Sequence, residues 1–244
     1  MLQAVFLDLG DTLVHLSRPW DDVFHANLEA LYKYVAKLGL QLDYDRFAGT
    51  FVKVFNDASA KADVYKVEIP IEDMIGKVLR KSRLEVVGVD LVHNAMTEFF
   101  RPEVDTWQVY PDTVEALTEL RNQGLKMGVI SNAKGDWAVR EIIKRNDLDK
   151  FFDVVVTSAS MRIRKPRPEI FMRALTELNV TATDSAFVGD SIEADVSGAR
   201  NIGMRPIHVR RRPIDSAHLA GPLLSVDSLN EAVVQITAWN DGSK

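Results

Sequence analysis

The sequence predicts an α/β protein, a doubly wound parallel sheet interrupted by an inserted helical bundle. Three observations lead there. An apolar run at residues 4–7 ends on Asp8 and a Gly/Asp/Thr turn, as a buried parallel strand does at its C-terminal edge. From residue 107 onward, short apolar runs alternate with amphipathic helical stretches, the signature of strand–helix–strand units. Between them, residues 14–106 carry four helical periodicities in succession and no strand pattern.

The composition suits this class. The 244 residues are enough for one or two domains, and 46% apolar with 27% charged residues is ordinary for a globular chain. A net charge of −5 gives no reason to expect nucleic acid as the main partner. With no cysteine, thiol catalysis, disulfides and Cys-ligated zinc are excluded. No apolar run reaches the roughly 20 residues that span a bilayer, and the N-terminus lacks a signal-peptide layout. A cytoplasmic enzyme or binding protein is the expectation.

In order, Phe24, Leu28, Leu31, Val35 and Leu38 recur at steps of four and three, forming one face of a helix over residues 21–38. Asp21 or Asp22 is placed to cap it and Gly39 to end it. A second helix is expected over 44–60 with Phe47, Phe51, Val54, Phe55 and Ala58 inward, a third over 71–81 and a fourth over 90–100. The α/β pattern resumes with a helix at 111–123, with Val114, Leu117 and Leu120 inward and Gly124 at its end. Strands follow at 126–131, 153–157, 185–189 and 205–209, with a short one at 223–226. The intervening helices fall at about 132–144, 168–178 and 192–201, and a last one at 229–239. The expected division is a core of residues 1–13 and 107–244 with an inserted domain at 14–106.

Four polar clusters fall at or just beyond strand ends: Asp8 with Thr12, Ser131-Asn132, Arg164-Lys165-Pro166, and Gly189-Asp190-Ser191 with Asp195. At that edge of an open α/β sheet, near the reversal of strand order, ligands bind. Asp8 and Asp190 converging there would repel unless a cation lay between them, and such hard oxygen ligands suit Mg2+.

This set, in this order, resembles the four motifs of the haloacid dehalogenase-like (HAD) hydrolase superfamily, across the whole α/β core. The helical insert after the first motif resembles that superfamily's C1-type cap. The resemblance implies a Rossmannoid core and a Mg2+-dependent phosphatase acting on a small phosphorylated metabolite. Asp8 would be both metal ligand and nucleophile, forming an aspartyl-phosphate. Gly10 would lend a backbone carbonyl to the metal, and Asp190 a carboxylate. Lys165 would keep Asp8 ionised and offset charge on the phosphoryl group. Thr12, the Ser131 hydroxyl, the Asn132 N–H and Lys165 would contact phosphate, and Asp195 would orient Lys165 or metal-bound water.

One position departs from the family pattern. Most phosphatases of the superfamily read Asp-x-Asp in the first motif, the second Asp protonating the leaving group and then activating water. Here that position is Gly10, followed by Asp11. Since general acid–base catalysis contributes about 10²–10⁴-fold, slow or atypical turnover is expected, worst on alkyl phosphates. Asp11 or His15 could substitute, as could water or the substrate itself; Gly10→Asp is then expected to raise the rate on alkyl phosphates. The alternative is a catalytically weak HAD-fold protein binding a phosphorylated ligand or partner for regulation. Two minor readings are dehalogenase-like chemistry, which Asp190 opposes, and phosphonatase-like chemistry, which needs a cap lysine such as Lys33 or Lys53.

The remaining features have plainer readings. The basic residues Arg162, Arg164 and Arg167, and likewise Arg210, Arg211 and Arg212, read as solvated loops. His25, His93, His208 and His218 show no ligand spacing, and Trp20, Trp107, Trp137 and Trp239 read as packing residues. Trp20 and Arg18 lie near enough to the insertion to touch substrate. Substrate identity and oligomeric state carry no motif.

Overall fold

The computed structural model describes residues 1–38, 43–82, 88–211 and 223–242. Strand β1 (Ala4–Leu7) ends at the Asp8 turn, and a short β2 (Val14–Leu16) follows. Four helices come next: α1 (Trp20–Lys37), α2 (Tyr44–Tyr65), α3 (Ile71–Lys81) and α4 (Val89–Val104). Strand β3 (Trp107–Val109) then returns antiparallel to β2, with His15 opposite Gln108. After α5 (Thr113–Asn122) come β4 (Lys126–Ser131), α6 (Asp136–Arg145), β5 (Val154–Thr157), the single turn α7 (Ser158–Met161) and α8 (Pro168–Leu178). The chain continues through β6 (Ser185–Gly189), a π-helical turn at Ile192–Ser197, α9 (Gly198–Asn201), β7 (Arg205–Val209), β8 (Ser225–Val226) and α10 (Leu229–Asn240).

Six strands form one sheet in the order β5-β4-β1-β6-β7-β8, and every pairing in it is parallel. The chain builds outward from β1 through β4 to β5, then crosses back to place β6 on the other side of β1. The strand order therefore reverses at β1, and the crevice beyond its C-terminal end is the place an open sheet offers to a ligand.

Side-chain alternation along β1 explains why both faces are covered. Ala4 and Phe6 join Ile130, Val154, Phe171 and Phe187 on one face, under α8. Val5 and Leu7 join Met127, Val129 and Val188 on the other, in a core that runs on into the helical insertion. Within that insertion the rings of Phe24, Phe51, Phe55 and Phe99 pack together, with Phe24–Phe55 at 4.8 Å and Phe51–Phe99 at 5.3 Å between centroids.

The insertion is also tied to the core at its middle. The segment after α2 bridges the loop before Lys165: Glu68 N donates to Arg162 O at 3.0 Å, and Arg164 N donates to Lys66 O at 3.1 Å. Ile71 N donates to Lys134 O at 2.8 Å. The buried Glu68 carboxylate accepts from Ser158 Oγ at 2.8 Å and lies 3.5 Å from Arg164 and 3.6 Å from Lys134.

Differences from the sequence reading are local. Val114 is 44% exposed, and the inward face of α5 is Thr113, Ala116, Leu117 and Leu120. Leu38 lies beyond the last turn of α1 and is exposed. Helices α2 and α4 run to Tyr65 and Val104, past the expected ends. The β2–β3 ribbon was not anticipated, because three-residue strands carry no readable periodicity. Gly39, Arg212 and His218 lie outside the described residues.

Gly128 in β4 stands between β1 and β5, opposite Phe6 and Val154. A Cβ there would come within 2.6 Å of Val154 Cγ1 and 2.8 Å of Phe6 Cδ1. Gly128→Ala is expected to cost about 1–3 kcal/mol through overpacking. Thermal unfolding checks this, with a midpoint lower by several degrees at about 2–4 °C per kcal/mol.

Candidate active site

The turn after β1 places Asp8 at the sheet reversal. Asp8 N donates to Val188 O of β6 at 2.9 Å, extending the ladder by one residue. The chain then turns sharply: Asp11 adopts φ 54°, a left-handed conformation that Asp tolerates better than most residues, and its N–H donates to Val14 O at 2.7 Å. Ser131 closes β4, Lys165 sits in the loop before α8, and Asp190 follows β6. Asp195 lies in the π-helical turn, where Asp195 N and Val196 N both donate to Ser191 O, at 3.0 and 3.1 Å. A wider turn of this kind re-aims side chains and is frequent at functional sites.

A buried ammonium links these segments. Lys165 Nζ donates to Asp8 Oδ1 at 2.6 Å and to Ile130 O at 2.7 Å, and forms an ion pair with Asp195 Oδ1 at 2.6 Å. It also stands over the Phe187 ring, 5.2 Å from the centroid. Asp195 Oδ2 accepts from Ser191 N at 3.0 Å. Burial pushes the Asp8 carboxyl up to about 7, against the pull of Lys165 and with the push of Asp195 and Asp190. Burial also works against the Lys165 charge, but Asp195 and Asp8 together raise its pKa above the ordinary value.

Asn132 holds Lys165 from behind. Its Oδ1 accepts from Lys165 N at 2.8 Å and its Nδ2 donates to Lys165 O at 3.1 Å. His208, read from sequence as merely structural, braces the opposite side: its Nε2–H donates to Asp190 O at 3.0 Å, which leaves Nδ1 to accept from Ser225 Oγ at 2.6 Å. Burial holds this imidazole below its ordinary pKa.

Asp8, Asp190 and Asp195 each bring a carboxylate oxygen within 4.8 Å of the others. Asp195 is committed to Lys165 and Ser191, so Asp8 and Asp190 are the side chains placed to face a cation. An all-oxygen set of this kind fits a hard divalent ion.

These groups floor a cavity of about 410 Å³. Asp8, Gly10, Ser131, Asn132, Lys165, Asp190 and Asp195 all line it. Thr12 does not; it is fully buried, and its Oγ1 has no hydrogen-bond partner among the described residues. Asp11 and His15 are not lining residues either. The His15 ring packs 4.8 Å from Tyr110, with Nδ1 donating to Leu16 O at 3.1 Å. Lys33 and Lys53 are exposed beside Glu29 and Asp57, as expected of solvated helix faces. Arg211 stacks on Tyr110 at 4.0 Å and pairs with Asp112, and Arg210 pairs with Asp227.

Three features escaped the sequence reading. Trp107 covers Gly10, and a Cβ there would lie 3.3 Å from its Cη2, so Gly10→Asp alone meets a ring rather than open space. Glu103 of α4 opens onto the same cavity, and burial pushes its carboxyl up to about 7. The roof is aromatic, where Phe55, Phe99 and Phe100, unmarked in the sequence, join Trp20, which the sequence did place within reach of substrate. No local pattern announces these residues; only a buried Glu on an otherwise apolar helix face could have drawn notice.

Comparison with known proteins agrees with this geometry. A glyceraldehyde 3-phosphate phosphatase of Methanocaldococcus jannaschii is 28% identical over 211 residues, covering 86% of this chain and 85% of that protein. A phosphoserine phosphatase of Thermus thermophilus is 33% identical over 157 residues, covering 64% and 62%. The crystal structure of a 2-haloacid dehalogenase from Pseudomonas syringae has the same fold, with a TM-score of 0.68, 22% identity and coverage of 98% and 100%. The family model for haloacid dehalogenase-like hydrolases matches residues 2–203, and the chain belongs to that hydrolase family.

Proposed function

We propose that this hydrolase is a Mg2+-dependent phosphatase that cleaves a small phosphorylated metabolite through an aspartyl-phosphate on Asp8. The observation that carries the reading is the buried Lys165 ammonium, held between Asp8 and Asp195 at the floor of the cavity. The phosphatase names of the two relatives support it.

Asp8, Asp190 and the Gly10 carbonyl would hold the ion, which when bound supplies Lewis-acid polarisation of the phosphoryl oxygens. The chain's own groups do the rest. Asp8 Oδ attacks phosphorus as the bond to the leaving oxygen breaks. Lys165 offsets the charge that gathers there and opposes protonation of Asp8. Asn132 and Asp195 hold Lys165 in place. The Ser131 hydroxyl and the Asn132 N–H would grip the phosphoryl oxygens. The helical insertion, residues 14–106, acts as a cap whose aromatic roof excludes water during transfer.

The cover of Trp107 over Gly10 favours one other reading, a weakly active protein that binds a phosphorylated ligand. Turnover of p-nitrophenyl phosphate separates the two. Mg2+-dependent release of nitrophenol, lost with chelator and lost in Asp8→Asn, is the expected result. Tight phosphate-ligand binding without any turnover supports the binder instead.

Lys165→Met is expected to lower the rate by about 10²-fold or more. It would also leave two buried carboxylates without their cation, at a cost of about 3–5 kcal/mol. Steady-state kinetics and thermal unfolding of one preparation check both effects.

A further inference from the structure

Glycine at position 10 leaves the departing alcohol without a proton donor from the first motif. Among the described residues, the cavity holds one buried carboxyl that the mechanism above does not use. Glu103 lies in the last turn of α4, lines the same cavity as Asp8 and is 8% exposed. Its Oε2 accepts from Asn27 Nδ2 of α1 at 2.8 Å, which fixes its orientation from the buried side. Asn27 is itself fully buried, and its Oδ1 has no partner among the described residues. An amide can turn over, so the pair serves both protonation states. Nδ2 donates to the carboxylate, and Oδ1 accepts from the carboxylic acid.

The other ionisable groups of the cavity have assignments elsewhere. Asp8 is the nucleophile and Asp190 the partner for the ion. Asp195 and Lys165 satisfy each other. Lys134 and Arg164 are turned to Glu68. Asp11 and His15 are not lining residues.

We propose that Glu103 is the proton carrier of the reaction, working from the cap in place of the acid absent at Gly10. The inference rests on the phosphatase reading. As Asp8 Oδ attacks phosphorus, the P–O bond to the alcohol breaks and the Glu103 proton passes to the departing oxygen. In the second step the Glu103 carboxylate takes a proton from water as the water oxygen attacks phosphorus. The Asp8 O–P bond breaks, phosphate leaves, and both carboxyls regain their starting states.

The electrostatics agree. Burial raises Glu103 to about 7, against the hydrogen bond from Asn27, so the acid form is present at neutral pH and lost above it. Asn27 from α1 and Trp107 from β3 face it, and neither titrates. Across the cavity the ionisable groups are Lys134, Arg164 and the Asp8, Lys165, Asp190 and Asp195 set.

The experiment compares phenyl phosphate, a poor leaving group, with p-nitrophenyl phosphate, a good one, with Mg2+ present. Glu103→Gln is expected to lower kcat/KM on phenyl phosphate by about 10²-fold or more, and on p-nitrophenyl phosphate by less than about 10-fold. In the wild-type protein, kcat/KM for phenyl phosphate should fall as pH rises through about 7, and Glu103→Gln should abolish that limb. Glu103→Asp should recover part of the loss and keep the limb. Equal losses on the two esters, or an unchanged limb in Glu103→Gln, overturn the proposal while leaving the Asp8 reading intact. Should the variants fail to fold, the wild-type profiles decide: a descending limb shared equally by both esters overturns it. If neither ester shows Asp8-dependent turnover, the phosphatase reading falls and this inference with it.

Discussion

One ammonium among carboxylates sets the terms for the rest of the site. Lys165 is 3% exposed, and taking its charge out of water is costly unless every N–H finds an oxygen. Asp8, Asp195 and the Ile130 carbonyl supply those oxygens from the turn after β1, the π-helical turn after β6 and the end of β4. The requirement reaches outward. Asn132 fixes the Lys165 backbone, the Ser191 N–H fixes Asp195, and His208 fixes the Asp190 carbonyl. Burial raises Asp8 toward neutrality, and the excess negative charge of three carboxylates gathered within 4.8 Å of one another adds to that rise. A divalent ion between Asp8 and Asp190 would remove that excess.

The sheet was legible because buried parallel strands leave apolar runs and polar ends. Residues 126–131, 185–189 and 205–209 were delimited as strands from sequence, and those are the bounds of β4, β6 and β7. The residues that gather at the reversal were also legible, since a charged or hydroxyl side chain at such an end is conspicuous. Thr12 belonged to the same string, yet the turn buries it away from the cavity. The direction of a side chain beyond the last strand residue depends on the turn, and Asp11 at positive φ alters it in a way the sequence does not display.

The cap side was nearly silent. Its helices show periodicity, and periodicity tells which residues face inward without distinguishing a core from a cavity. Phe99 and Phe100 are adjacent on α4, and both line the cavity while packing in the core. Glu103 and Trp107 flank the junction where the insertion ends, 95 and 99 positions after Asp8. Their meeting with Gly10 is produced by the β2–β3 ribbon, whose short strands bring the two ends of the insertion together. The bare glycine at position 10 and the indole that lies over it are thus one structural fact seen from two places in the chain.

The segment around Glu68 has a consequence for motion. An insertion held only at its two ends can swing open like a door on a frame. This one is also fastened near its midpoint, by backbone bonds to residues 134, 162 and 164 and by a carboxylate shared among Ser158, Lys134 and Arg164. It is an arch on three footings, and two of the side chains in the middle footing belong to the cavity wall. Opening wide for a bulky guest would mean lifting that footing and stranding a carboxylate; small guests, slipping in beneath the span, would leave it standing.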